Sequence, residues 1–169
     1  MKEGHKVTLR QLEHEPLDIV SSDSVSLRRH FALIGRCTRM YSVTSSSQDP
    51  RDKLKTLLGT DLVLKISWPE ETRTSEKAII EQAAMCDNEN VRGHLPDLVW
   101  SCDLETYSTN SIRDQLHIFK PASTRRRVVR VMLFRRLHPL TELTGEAFWS
   151  AFWQCFRCKQ TLPTHLYPN

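Results

Sequence analysis

The sequence predicts an α+β fold, a twisted antiparallel sheet with one packed helix, followed by the first helix of a second part. Three observations predict it. After Arg127, residues 128–134 are apolar at Val128, Val129, Val131, Met132, Leu133 and Phe134 and are interrupted only by Arg130. A run of that kind suits a strand buried on both faces. Residues 62–68 are rich in β-branched and aliphatic side chains, a strand composition. Residues 146–160 carry Phe148, Trp149, Phe152, Trp153 and Phe156 along one broad helical face.

The remaining elements follow from punctuation and period. Residues 1–25 are polar and weakly periodic, so an extension with little fixed structure is expected there, with room for one short helix. Residues 30–34 and 40–43 suit two short strands that turn at Gly35. Residues 44–50 are turn formers and predict a flexible loop. Pro69 ends strand pairing because it has no N–H to donate. From 72 to 85, Ala78, Ile79, Ile80, Ala83 and Ala84 predict a helix, which exits through residues 87–90 and Gly93. Residues 95–104 offer a further strand around Leu98, Val99 and Trp100. Residues 105–123 are expected to be an insertion loop in which 116–119 pair briefly. Pro139 breaks the chain after the apolar run, and Thr144 and Gly145 mark the start of the last helix. The resulting domain boundaries are a polar extension at 1–27, a sheet-bearing part at 28–137 and a helical start at 138–169.

Bulk properties exclude several classes. The 169 residues are 39% hydrophobic and 26% charged, enough for one packed domain. No apolar run reaches the roughly 18–20 residues that span a bilayer, and residues 1–10 lack the apolar stretch of a secretory signal. The five cysteines (Cys37, Cys86, Cys102, Cys155 and Cys158) are odd in number and scattered. That usage fits reduced thiols and an intracellular setting, cytoplasmic or nuclear. The net charge of +4 comes largely from Arg28 and Arg29, Arg125 to Arg127 with Arg130, and Arg135 and Arg136. No zinc-finger, RNA-recognition or helix-turn-helix signature accompanies these clusters. They are expected to flank strands on a solvated surface, and nucleic acid is not the expected partner.

Specific residues then carry a resemblance. The stretch Gly35, Arg36, Cys37, Thr38, Arg39, Met40, Tyr41 looks like a glycine-rich turn, with one glycine where the usual G-x-G-x-x-G has three. Val63, Leu64, Lys65, Ile66 looks like a third-strand lysine motif, and Ser75 to Ile80 looks like the helix that follows it. Residues 134–145 resemble a characteristic fifth strand and hinge. Together, from about residue 28 to 161, the sequence resembles a fungal-type protein kinase domain, N-terminal part only. The resemblance implies a kinase-like small lobe plus the first helix of a truncated large lobe, and an ancestral ATP-dependent phosphorylation of protein Ser/Thr hydroxyls. It further implies that Lys65 binds the α- and β-phosphates of ATP, that Glu76 positions Lys65 by an ion pair, and that backbone N–H groups around Gly35 cover the phosphates. Glu81 is the rival for the pairing role, but five residues on it points to a different helix face. Without the resemblance Lys65 reads as a strand-edge cation, Glu76 as a helix-surface charge and Gly35 as a hairpin glycine.

Other residues bound the chemistry. No H-R-D-x-x-x-x-N loop and no metal-binding Asp before Phe-Gly occur, and no Asp or Glu follows Glu146. No catalytic residue and no magnesium site is therefore expected, and the chain is expected to be inactive by itself. The helix bearing Phe148, Trp149, Phe152 and Trp153 is the expected site for a protein partner, since each buried aromatic removes roughly 150–250 Å² from water. Cys155 and Cys158 with His165 lack the second ligand pair of a structural zinc site, so no metal is expected. No Ser-His-Asp arrangement is recognisable.

Overall fold

The computed structural model describes residues 6–11, 14–21, 28–29, 37–45, 61–118 and 125–162. In chain order its elements are β1 (Lys6–Gln11), β2 (His14–Ser21), β3 (Arg28–Arg29), β4 (Arg39–Ser45), β5 (Asp61–Ser67), α1 (Glu76–Ala84), β6 (Leu98–Ser108), α2 (Thr109–Gln115), β7 (Val128–Arg135), a 3-10 turn (Leu140–Glu142) and α3 (Gly145–Thr161). The architecture is α+β. The chain divides into two compact units, Met1–Arg73 with Val99–Arg136, and Thr74–Leu98 with Leu137–Asn169.

The first unit is built on the sheet, whose strands run β1-β2-β4-β5-β7-β6, with β3 paired to β4. The ladders β1–β2, β2–β4, β3–β4, β4–β5 and β5–β7 are all antiparallel. Residues directly opposite one another share a sheet face. One face carries the apolar cluster of Val43, Leu62, Leu64, Val129, Val131 and Leu133, with Tyr41, Trp68, Trp100 and others against it. The opposite face carries two cross-strand rows, Met40–Lys65–Met132 and Ser42–Val63–Phe134. In β7 every residue from Val128 to Phe134 is buried, and Arg135 is exposed. Adjacent Met132 and Leu133 are 1% and 0% accessible, so both faces of this strand are dry, as its apolar run predicts.

One residue in that run is charged. Arg130 is buried, and its Nε and Nη2 donate to Oδ1 and Oδ2 of Asp103 on the neighbouring strand β6, each at 2.7 Å. A bidentate pair satisfies a guanidinium that would otherwise be stranded away from water.

The structure corrects three expectations. Arg130, expected on a solvated surface, is buried because Asp103 of β6 meets it. Residues 1–25 were expected to have little fixed structure, yet β1 and β2 form a hairpin within the sheet. The cause is a period-two pattern masked by polar composition: Val7 pairs with Ile19 and Leu9 with Leu17. Register slips between Leu9 and Gln11, opposite Glu15 and Pro16, where proline removes a ladder donor and two residues face one. Residues 105–123 were expected to be a loop, but 105–108 extend β6 and 109–115 form α2. Ser108 and Ser111 cap that helix reciprocally, which satisfies donors the first turn leaves open. Leu116 and Ile118 are exposed and in no strand. The strand expected at 30–34, and most of the loop expected at 44–50, lie outside the described residues.

In the second unit, the Ser75 hydroxyl accepts from the Ala78 N–H at 3.0 Å and starts α1. That cap explains why the helix begins at 76 and not at 72. Gly93 turns the following segment with φ +80°, a left-handed conformation that favours glycine. Ala83 of α1 packs in a small cluster with Val91, Cys158 and Leu162, with Cys86 and Leu95 against it. Thus α3 meets α1 through the edge that carries Cys158, not through its aromatic face.

The Arg130–Asp103 pair generates a stability prediction. Asp103→Ala leaves the buried guanidinium uncompensated and is expected to destabilise by about 2–3 kcal/mol, below the usual cost of about 3–5 kcal/mol because Asp103 is partly solvated. Replacing both partners, Arg130→Met with Asp103→Leu, is expected to restore stability to within about 1 kcal/mol of the parent. Urea unfolding midpoints of the three proteins check both.

Candidate functional site

The candidate site is built from the face of β5 that the apolar cluster does not use. Lys65 lies near the middle of β5, half-buried, between Met40 of β4 and Met132 of β7. A long stem lying on apolar neighbours lets an ammonium reach outward. A second cation lies on the same face. Arg136, just past β7, donates its main-chain N–H to the Asp61 carbonyl at 3.0 Å, so it continues the β5–β7 ladder. Its Nη1 donates to the Ser42 hydroxyl at 3.2 Å. Ser42 is buried and lies on β4, on the far side of β5. The Arg136 side chain therefore reaches across β5 to Ser42, whose β5 partner Val63 is two residues before Lys65. The sequence places Arg136 among the surface charges and in the stretch that resembles a fifth strand and hinge, with no role of its own. Its even-numbered register with Met132 and Phe134 was the signal that would have placed it on the Lys65 face of the sheet.

Glu76 belongs to the second unit, as the first residue of α1. A carboxylate there suits the positive end of the helix, and the Ser75 cap fixes its position on the first turn. The rival Glu81 is exposed and pairs with Lys77 at 3.8 Å, so it serves the outer surface of the helix. Lys65 and Glu76 are thus each held on regular structure in separate units. Gly35 lies outside the described residues.

The arginine cluster at 125–127 has a structural role. Arg125 pairs with Glu70 at 2.8 Å and Arg127 with the same carboxylate at 3.6 Å, while Arg126 pairs with Glu71. The main chain supports this clasp, because Glu71 N–H donates to the Arg126 carbonyl at 3.0 Å and Glu70 bridges Arg127. Three of the charges that make the chain basic are therefore met by two local carboxylates. The hydrogen bond from Arg125 holds the Glu70 carboxyl below the usual carboxylate range, against a smaller opposing effect of desolvation.

His165, weighed above with Cys155 and Cys158 as a zinc ligand, lies outside the described residues. Among the described residues no group of three or more His, Cys, Asp or Glu could hold a metal ion. Cys155 is exposed and Cys158 is buried, because residues three apart on α3 straddle its packed edge. Burial, with a lesser contribution from Cys155, pushes the Cys158 thiol up. Burial, then the Asp103 charge, does the same for Cys102.

The aromatic face of α3 is open. Trp149, Phe152, Trp153 and Phe156 keep 58%, 40%, 51% and 41% of their surface accessible. They contact one another edge to face, with ring centroids 5.6 to 6.0 Å apart from Trp149 to Phe156, a geometry favoured by ring quadrupoles. Among the described residues, no helix is long and apolar enough to cross a membrane.

Compared with known proteins, the sequence matches the fungal protein kinase family over residues 4–160. No curated protein and no solved structure matches it.

Two outcomes are expected from this geometry. Because Glu70 has a lowered folded-state pKa, its stabilisation is present above the ordinary carboxylate range and is lost as pH falls through the lowered value. The stability gap between the parent and Glu70→Gln should therefore be open at neutral pH and close in acid, as thermal melts across pH will read. In alkylation by iodoacetamide at mildly basic pH, Cys155 should react in the folded protein while Cys102 and Cys158 stay protected until denaturant is added. Peptide mass mapping over time distinguishes these.

Proposed function

Because the chain belongs to the fungal protein kinase family, we propose that it is a kinase-type nucleotide-binding domain in which Lys65 takes the α- and β-phosphates of ATP. Residues 28–137, with the β1–β2 hairpin added to their sheet, act as the small lobe. Residues 138–169 act as the hinge and the start of the helical large lobe. By family resemblance, the role of positioning Lys65 falls to Glu76 and that of covering the phosphates to the stretch around Gly35. The observation that carries this reading is the position of Lys65 on a central strand, on the face opposite the apolar cluster. A cation there is half-buried on a regular strand, with Met40 and Met132 on either side.

The family reaction is transfer of the γ-phosphoryl group to a protein Ser or Thr hydroxyl. It needs a carboxylate to accept the hydroxyl proton and another to hold magnesium. Of that reaction, nucleotide binding is the part we assign to Lys65 and the strands around it. A second reading is favoured by one observation, the open row of Trp149, Phe152, Trp153 and Phe156 on α3. On that reading the domain is a non-catalytic interaction module that docks a protein partner through this row.

Titration with an N-methylanthraniloyl derivative of ATP tests the first reading. Lys65→Ala should weaken binding at least about tenfold, as expected for losing a charge-assisted phosphate contact. Glu76→Ala should weaken it too, whereas Glu81→Ala should not. Unchanged affinity in Lys65→Ala would sink the assignment.

A further inference from the structure

We propose that the aromatic face of α3 docks a second copy of this chain, the two α3 helices packing antiparallel about a two-fold axis. The proposal rests on the interaction-module reading above and names the partner. Helix α3 leaves Trp149, Phe152, Trp153 and Phe156 exposed in one row, while Cys158 marks the edge that packs with Ala83. Trp153 and Phe156 also line a groove of about 450 Å³, together with Ser150, Gln154, Arg157 and Gln160. Two opposite charges stand on the same helix. Glu146 in the first turn and Arg157, eleven residues on, are both exposed. Among the described residues neither side chain has an ion-pair partner.

Symmetry and charge then select the partner. Eleven residues at 3.6 per turn bring Glu146 and Arg157 to within about 20° of one another around the helix, so they share a flank. A two-fold axis crossing both helices at right angles keeps a flank on its own side and reverses height. Glu146 of each copy therefore meets Arg157 of the other, and the contact forms twice. The same axis sets Trp149 of one copy against Phe156 of the other. The midpoints of the two residue pairs differ by one residue, about 1.5 Å along the helix. Trp149 of each copy then enters the groove of the other, beside Trp153. A parallel pair sets Glu146 against Glu146 and Arg157 against Arg157, so repulsion disfavours it. Antiparallel helices also oppose their dipoles favourably. About half of each exposed ring, at roughly 150–250 Å² per aromatic side chain, gives on the order of 600–1,000 Å² of aromatic surface for two copies. With the polar flanks added, the contact reaches about the 1,000 Å² at which specific interfaces begin, so the dimer is a weak one.

Sedimentation equilibrium of the full chain at low and high salt tests this. The expected result is a monomer–dimer equilibrium with a dissociation constant in the micromolar range, weaker in high salt. Phe152→Glu, close to the axis, should leave the chain monomeric. Glu146→Arg alone and Arg157→Glu alone should each weaken the dimer about fivefold or more at low salt. An equimolar mixture of those two variants should dimerise like the parent, because each chain then supplies the charge the other lacks. Such a rescue cannot come from misfolding of either variant, and circular dichroism verifies the fold of Phe152→Glu. A chain that stays monomeric, assemblies larger than a dimer, a dimer that survives Phe152→Glu, or a mixture without rescue overturns the proposal. Binding of the apolar dye anilinonaphthalenesulfonate separates the two levels. If the chain is monomeric and Phe152→Glu lowers dye binding, the row is an open docking face and only the self-partner fails. If the chain is monomeric and dye binding is unchanged by Phe152→Glu, the interaction-module reading fails with it.

Discussion

Seven consecutive buried residues make β7 the strand on which the first unit depends. A strand dry on both faces must have every backbone group in a ladder and every side chain matched to its surroundings. β5 and β6 satisfy its edges, and its odd and even residues build the two faces separately. Val129, Val131 and Leu133 face the apolar cluster, while Met132 and Phe134 support the row that holds Lys65. A one-residue slip of β7 against β5 would exchange these sets and bring Arg130 to the apolar cluster. The Asp103 carboxylate works against that slip, because only the observed register gives the Arg130 guanidinium both of its oxygens.

Legibility in the sequence followed the strength of local pattern. β5, β7 and α3 were readable because long apolar runs or a wide aromatic stripe admit few alternatives. The β1–β2 hairpin was not, because Val7, Leu9, Leu17 and Ile19 are spaced correctly but diluted by charged neighbours. It becomes visible only when the two stretches are paired. Helix α2 was hidden for another reason: its stability comes from the Ser108–Ser111 cap more than from periodicity, and a serine-rich segment reads as loop. The candidate site shows the same limit. Lys65 was singled out by its motif, whereas Arg136 owes its place to a hydrogen bond with Ser42, ninety-odd positions earlier in the chain. Charge counts hid both the Glu70 clasp and the Arg130 pair, since formal charge says nothing about which carboxylate a fold brings near.

The division of labour among the arginines is itself informative. Arg125, Arg126 and Arg127 close the end of the sheet, Arg130 specifies register, and Arg136 lies on the face with the candidate phosphate-binding lysine. Residues of one type within a dozen positions thus serve three purposes, set by strand parity and by the nearest acceptor. Parity follows directly from the period of two along a strand. The acceptors follow only from the fold.

The second unit is assembled from two stretches separated by β6, α2 and β7, and this sets an order of events during synthesis. Helix α1 emerges from the ribosome early, yet nine residues are too few to be stably helical in isolation. Its Ala83 has neighbours at Val91 and Leu95 at once, but Cys158 and Leu162 exist only after the remaining sheet strands have been made. The sheet-forming stretch therefore has the opportunity to fold first, while α1 waits as a nascent element with one apolar edge uncovered. Closing the small cluster around Ala83 is then the late step, and the arrival of the α3 terminus is what completes it.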